Sequence, residues 1–177
     1  MSEGVYYDRR DYAGFWRRLA VDAIDFPVLF ILVVLVSAVL ISIFPNPEAA
    51  SPHILFWSGV VISFLYLVVL KRSSLRTLGY RLGRVRIVGL QGERPSIWQL
   101  TLRAIFVFLG PLSMVVDVLW LTSDSHRQAL RDKFAHTYVI RSQAVPVGHG
   151  PVVHATYTIL GTGFLFAEVR TAKSHDP

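Results

Sequence analysis

The sequence predicts an α-helical membrane protein with two spanning helices, a broken helical hairpin that re-enters the membrane, and small cytoplasmic β elements. Two uninterrupted apolar runs, residues 26–44 and 54–70, predict the spanning helices. The chain is 53% hydrophobic and 17% charged, whereas soluble domains are about 45–50% apolar and 25% charged. The basic residues flank the apolar runs, as they do in membrane proteins.

The two apolar runs have the length of membrane spans. Residues 26–44 cover about 28 Å as a helix, close to the roughly 30 Å of the hydrocarbon core. Residues 54–70 follow Ser51-Pro52 and end at Lys71-Arg72. The linker PNPEAASPH is long enough only for a tight turn. The sequence therefore predicts two antiparallel spanning helices.

The distribution of Lys and Arg predicts the orientation. The turn between the two runs has no Lys or Arg and one acid, Glu48. The basic residues before and after the pair of runs are Arg9, Arg10, Arg17, Arg18, Lys71, Arg72, Arg76, Arg81, Arg84, Arg86 and Arg94. Both flanks are therefore predicted to be cytoplasmic, including the N-terminus. We expect no cleaved signal peptide, because no short apolar core precedes a cleavage site.

The segment 97–121 has two interpretations. It contains Arg103 and is broken by Gly110-Pro111, a pair that ends a helix. If the segment is a third span, the basic residues that follow it lie outside the cytoplasm, and these are Arg127, Arg131, Lys133 and Arg141. As a hairpin that turns at Gly110-Pro111 it keeps them inside, with legs of about ten to thirteen residues, typical of re-entrant segments. The hairpin is the favoured prediction.

Short β elements are predicted outside the membrane. A β-branched run within 84–95 and another at 137–140 are expected to pair as a small cytoplasmic sheet. Residues 153–159 alternate between apolar and polar, and Gly161-Thr162-Gly163 precedes the run FLFAEVR. This pattern predicts a β-hairpin. A further spanning helix is the alternative, and Glu168 with the glycines counts against it.

Three charged residues share one face at the start of the first helix. Arg18, Asp22 and Asp25 lie at i, i+4 and i+7. An ionisable group costs roughly 2.5–3.5 kcal/mol at the membrane centre and is a functional candidate by default. The alternative is that Arg18 reaches the headgroups and neutralises Asp22, with Asp25 at the inner edge of the membrane. We favour this interfacial ion pair.

Another acid, Asp117, lies alone within the apolar stretch PLSMVVDVLWL. If this stretch enters the membrane, its carboxylate requires a partner. Arg103, on the other leg of the predicted hairpin, is the nearest candidate. The alternative is an aspartate on an interfacial helix face.

Several function classes find no support in the sequence. There is no cysteine, and the six histidines show no metal-ligand spacing. No nucleophile, base and orienting group occur together, so we expect no enzyme, no metal and no cofactor. Because the basic residues flank membrane runs, we expect no nucleic-acid partner.

The charged positions resemble a known family. An Arg at the start of the first helix, an Asp further along it and a later Asp-Lys segment are typical of the RDD family of bacterial membrane proteins. The matching residues are Arg18 and Asp25 in GFWRRLAVDAID and Asp132 in HRQALRDKFAHTYVI. The linking stretch RTLGYRLGRVRIVGLQGERPSIWQLTLRAI, which contains Arg103, is also similar. The likeness covers residues 14–140. Two positions depart from the family pattern, since Arg131 precedes Asp132 where His is common, and His136 replaces a common Gly.

The resemblance implies a bacterial inner-membrane protein, and some members have been linked to cation/proton exchange. Two functions remain open. The favoured one is an accessory or scaffolding subunit of a larger membrane assembly, with Arg18, Asp25 and Asp132 as an electrostatic latch on the cytoplasmic side. The alternative is an oligomeric transporter that exchanges cations or protons on Asp25 and Asp132. Expected partners are the lipid bilayer and other membrane subunits or further copies of the chain.

The resemblance also divides the chain. Residues 1–14 are predicted to form a cytoplasmic N-terminal segment, residues 15–141 an RDD-like membrane domain, and residues 142–177 a C-terminal tail containing the β-hairpin.

Overall fold

The computed structural model describes residues 3–44, 52–108, 117, 120, 127–159 and 162–170. Its long elements follow the hydrophobic pattern of the sequence. Helix α1 spans Phe15–Ile43, and helix α2 spans Pro52–Phe64 and continues as a π-helical segment over Leu65–Leu70. Both are long and apolar enough to cross a membrane. At 29 residues, α1 is about 43 Å long and exceeds the roughly 30 Å hydrocarbon core.

The surface of the two long helices fits a lipid environment. Their large apolar side chains are mostly exposed, for example Phe30 at 69% and Phe56 at 64%. A soluble protein would bury such contiguous surface. A small cluster around Leu29, Tyr66 and Leu67 packs α1 against the π-helical end of α2. The prediction of two apolar helices of spanning length is thus confirmed.

Two predicted β elements pair as expected. Strand β2, Val85–Gly89, and strand β3, Thr137–Arg141, are antiparallel, with Ile87 opposite Val139. Strands β4, Gly148–Ile159, and β5, Thr162–Val169, form the C-terminal hairpin, with Ala155 opposite Phe166. The predicted hairpin is therefore confirmed, and the alternative of a helix over these residues is wrong.

The first strand was not predicted from the sequence. Strand β1, Glu3–Tyr6, pairs with β4 and places Val5 opposite His149, so the three-stranded sheet has the order β1-β4-β5. Further along, Tyr12 bridges to Ile140 of β3. The amino-terminal segment thus contacts both sheets, and the apolar cluster between them contains Tyr7, Tyr12 and Tyr138.

The pairing of β2 with β3 fixes where the intervening chain begins and ends. Helix α4, Ile97–Phe108, follows β2, and the short helix α5, Leu130–Phe134, precedes β3. Because β2 and β3 are hydrogen-bonded neighbours, the segment between them leaves and returns to the same sheet. Gly110-Pro111 lies outside the described residues, so the predicted break there stays a prediction.

One further short helix connects the membrane helices to the sheet. Helix α3, Leu78–Leu82, packs against α1, and its last turn leads through Gly83 into β2. The cluster formed by Ala13, Val21, Tyr80, Val85 and Leu100 joins α1, α3, β2 and α4. This junction between the helices and the sheets is where the charged residues converge.

Candidate functional site

Asp132 is the centre of a buried charge network. Its side chain is fully buried, and it accepts hydrogen bonds from two guanidiniums. Arg18 of α1 donates to Oδ2, and Arg103 of α4 donates to Oδ1. The backbone N–H of Ala129 also donates to Oδ2, at 3.2 Å. Two arginines from helices distant in sequence are thereby joined to α5 through one carboxylate.

The two arginines are themselves held in place by neutral acceptors. The Nε of Arg18 donates to the Ala13 carbonyl at 2.9 Å, and its Nη2 donates to the Arg127 carbonyl at 2.8 Å. Arg103 Nη1 also donates to the Thr137 hydroxyl at 2.7 Å. Both guanidiniums are thus fixed in position, and fixed donors make a buried ion pair stronger.

Opposing effects act on the protonation of Asp132. Burial by itself raises the pKa of this carboxyl, but the nearby charges of Arg103 and Arg18 outweigh burial and hold the pKa at about 2. Arg131 acts in the same direction. The carboxylate therefore stays ionised throughout the physiological pH range.

A second part of the network surrounds Arg131. Its Nη2 lies 3.3 Å from Asp22 Oδ2, and its Nε lies 3.1 Å from Asp117 Oδ2. The backbone N–H of Arg131 also donates to Asp117 Oδ1 at 3.1 Å. Desolvation lowers the pKa of Arg131. The carboxylates of Asp22 and Asp117 raise this pKa by a larger amount, so the net shift is upward. Arg131 is therefore a permanent cation between two acids.

These contacts correct two predicted pairings. Asp117 was expected to bind Arg103, but it binds Arg131, because Arg103 is already engaged by Asp132. Arg18 was expected to neutralise Asp22, but it points to Asp132, and Asp22 binds Arg131 instead. The shared helical face of Arg18 and Asp22 placed them near each other without pairing them.

The charges of this network balance. It contains three arginines and three aspartates, which are Arg18, Arg103, Arg131, Asp22, Asp117 and Asp132. A balanced set of buried charges avoids the large penalty of an isolated ion. Five of the six were candidate site residues from the sequence, and Arg131 was not. Arg131 was noted only as a cation and as a departure from the family pattern.

Asp25 belongs to a separate site. Its Oδ1 accepts hydrogen bonds from the Tyr66 hydroxyl at 3.0 Å and the Gly79 N–H at 2.8 Å. Its Oδ2 accepts one from the Thr77 hydroxyl at 2.7 Å, and Lys71 Nζ lies 4.0 Å away. The predicted latch grouped Asp25 with Arg18, but Arg18 is not among the partners of Asp25 in the structure. Asp25 instead joins α1 to the end of α2 and the start of α3.

The approach of α3 to Asp25 requires a glycine. A Cβ on Gly79 would meet the Val21 carbonyl oxygen of α1 first and would lie 2.8 Å from Asp25 Oδ1, both closer than real Cβ contacts occur. The absence of a side chain lets the Gly79 N–H reach the carboxylate. The first glycine of the stretch GYRLG thus has a structural role. The π-helical segment at Leu65–Leu70 contains Tyr66, the other partner of this oxygen.

A further ion pair connects α5, which contains Asp132, to the C-terminal hairpin. Lys133, adjacent to Asp132, is fully buried and donates to Glu168 Oε1 of β5. The Tyr157 hydroxyl donates to the same oxygen at 2.6 Å, and its ring lies 4.7 Å from Lys133 Nζ. Lys133 had been counted only as a cation. The sequence signal for this pair was Glu168, an acid within the predicted β-hairpin that required a cationic partner.

The network leaves little space for a ligand. The cavity bounded by Arg18, Asp22, Arg103 and Arg131 has a volume of about 10 Å³, room for roughly one water molecule. In the described part of the chain, the arrangement binds elements together through charge. It offers no nucleophile with an activating base.

Comparison with known proteins gives one match. A family model described as the RDD family matches residues 12–136. The matched range contains all six residues of the charge network, together with Asp25 and Lys133, and ends just before β3. No similar curated protein and no similar solved structure was found.

Proposed function

The chain belongs to the RDD family, and from that premise we propose that it is an accessory or scaffolding subunit of a larger assembly in the bacterial inner membrane. In this proposal the charge network is a latch. It holds α5 and the two sheets against α1 and α4, so that the sheets form a fixed platform beside the membrane. The chain performs no catalysis of its own.

The observation that carries the proposal is the pair of arginines on Asp132. Arg18 and Arg103 come from two different helices and bind the two oxygens of one buried carboxylate. Removing Asp132 leaves two buried guanidiniums without their carboxylate, and removing either arginine leaves Asp132 with a reduced countercharge. Such uncompensated buried charge costs several kcal/mol. A group arranged in this way is suited to fixing elements in place.

The pairing of strands supports a cytoplasmic position for both sheets. β2 follows the basic end of α2, and β3 returns beside it. In the proposed topology α1 and α2 cross the membrane, and the segment 97–121 enters and leaves on one side. The N-terminus and the basic loops then lie in the cytoplasm, in agreement with the distribution of Lys and Arg.

The alternative, cation or proton exchange on Asp25 and Asp132, receives less support. Exchange requires a carboxylate that gains and loses its charge near neutral pH. Asp132, with a pKa of about 2, does not. Both oxygens of Asp25 are occupied by the donors Tyr66, Gly79 and Thr77.

Two measurements on the same preparations test the proposal. The tagged chain is purified from its native membranes in mild detergent, and the mass and stoichiometry of the complex are measured. The pure chain is then reconstituted in vesicles, and cation-dependent proton flux is recorded for wild type, Asp25→Asn and the exposed control Asp8→Asn. We expect a stoichiometric complex with other subunits and no flux. Flux in wild type and Asp8→Asn that disappears in a folded Asp25→Asn protein would establish the transporter instead.

A further inference from the structure

An open apolar groove lies between α2 and α4. Its volume is about 540 Å³, within the roughly 300–1,000 Å³ typical of small-molecule sites. Of the described residues that line it, only Ser63 and Thr101 have polar side chains. The Thr101 hydroxyl already donates to the Ile97 carbonyl of its own helix, at 2.9 Å. The walls therefore favour an apolar ligand.

The groove runs along α2, one of the two helices of membrane-spanning length. Phe56, Val60, Phe64 and Val68 line it from α2 at intervals of four residues, so it extends for about 18 Å along that helix. One leaflet of a bilayer contributes about half of the roughly 30 Å hydrocarbon core. An extended acyl chain of a membrane lipid matches this length and this chemistry.

A cationic side chain, Arg72, lies near the end of the groove that Val68 lines. Arg72 follows the π-helical segment that contains Val68, four residues further along the chain. Its Nε donates to the Pro95 carbonyl at 3.1 Å, and Pro95 lies two residues before α4 begins. Arg72 thus connects the end of the helix that continues from α2 to the segment that leads into α4. Within the described chain its Nη nitrogens make no hydrogen bond, and the residue is exposed.

An exposed aromatic side chain, Trp98, indicates the same membrane depth as Arg72. Trp98, in the first turn of α4, is 73% exposed. Exposed tryptophans of membrane proteins are enriched at the headgroup level. Arg72 and Trp98 therefore place the end of the groove where lipid phosphates lie.

The geometry points to this groove as the binding site of one anionic glycerophospholipid, with an acyl chain between α2 and α4 and the phosphate on Arg72. Guanidiniums bind phosphate oxygens through charge-assisted hydrogen bonds. A second copy fits the groove less well. Two copies related by a two-fold axis along the membrane normal would hold their Arg72 side chains at the same depth, where like charges repel. This site is independent of the latch and of the proposed subunit role.

Native mass spectrometry of the purified full chain in detergent, titrated with phosphatidylglycerol, tests the site. Phosphatidylcholine and inorganic phosphate serve as comparison probes. Arg72→Gln is matched by Arg81→Gln, which removes another exposed cation, from α3. Val60→Trp fills the groove and is matched by Val61→Trp, since Val61 is exposed on the same helix but does not line the groove.

We expect wild type, Arg81→Gln and Val61→Trp to retain one phosphatidylglycerol. Arg72→Gln should weaken retention about tenfold, as expected for a lost charged hydrogen bond, and Val60→Trp should abolish it. Equal retention in Arg72→Gln and Arg81→Gln would overturn the assignment, as would inorganic phosphate displacing the lipid. A lipid-free dimer that Val60→Trp dissociates would assign the groove to a second copy. If Val60→Trp does not fold, the comparison of Arg72→Gln with Arg81→Gln still tests the assignment.

Discussion

The guanidinium of Arg18 donates a buried hydrogen bond to the carboxylate of Asp132, 114 residues later in the chain. The arginine lies in the first turns of α1, and the aspartate in α5. Because Arg103 occupies the other oxygen of Asp132, one carboxylate organises the junction of helices and sheets. The first two predictions follow from this relationship.

Arg18→Ala should destabilise the folded protein by about 3–5 kcal/mol, because it leaves Asp132 with a reduced countercharge in a buried site. Arg18→Lys should cost less, since it restores the charge without the planar pair of donors. Thermal unfolding in detergent measures both. The control is Arg17→Ala, which removes the neighbouring cation. Equal stability of Arg18→Ala and Arg17→Ala would refute the latch.

Acid should weaken the latch in a defined pH window. The pKa of Asp132 is about 2 in the folded protein and 3.8 for an unperturbed aspartate. A depressed folded pKa contributes stability above pH 4, and this stability is lost as the pH falls towards 2. The contribution is on the order of 2 kcal/mol. Wild type should therefore lose more stability than Asp132→Asn between pH 4 and pH 2 in unfolding experiments. Parallel pH profiles of the two proteins would contradict this assignment.

Gly79→Ala should destabilise the junction between α1 and α3. The added Cβ would lie 2.8 Å from Asp25 Oδ1, and such overpacking costs about 1–3 kcal/mol. Gly59→Ala is the control, because its Cβ would meet Val33 at an ordinary 3.7 Å. Comparison of the two unfolding midpoints checks the prediction. A neutral Gly79→Ala would mean that α3 does not approach Asp25 so closely.

Lys133 and Glu168 should show strong coupling. Lys133→Met leaves the Glu168 carboxylate without its cation and should cost about 3 kcal/mol. The double variant Lys133→Met with Glu168→Gln should recover much of that loss. A double-mutant cycle of unfolding free energies measures the interaction. If the losses simply add, the C-terminal hairpin is not held through this pair.

Leu75 and Val145 should lie on the same side of the membrane. Both are well exposed, at 65% and 71%, and the paired strands β2 and β3 lie between them in the chain. Single cysteines at these positions, in a chain that has none, should both resist an impermeant thiol reagent in intact cells. A cysteine at Ala49, between the two spanning runs, should be labelled. Labelling at Val145 alone would mean that the segment 97–121 crosses the membrane completely.

Elements with a local signal could be predicted from the sequence alone. The apolar runs predicted α1 and α2, because a helix of spanning length needs only an uninterrupted apolar composition. The alternation within 153–159 predicted the strand β4, because side chains on a strand alternate between its faces. The resemblance also picked out Arg18 and Asp132, which the structure brings together.

The partners of the charged side chains could be identified only from the tertiary structure. Arg131 binds both Asp22 and Asp117, and Asp25 binds Tyr66 and Gly79 at the other side of the junction. β1 also lacks an alternating pattern long enough to be recognised, and its place beside β4 comes from a partner about 145 residues away. Helical spacing gives the face on which a charge lies. The partner is chosen by the packing of distant segments, because the energy of a buried pair depends on distances that no local pattern contains.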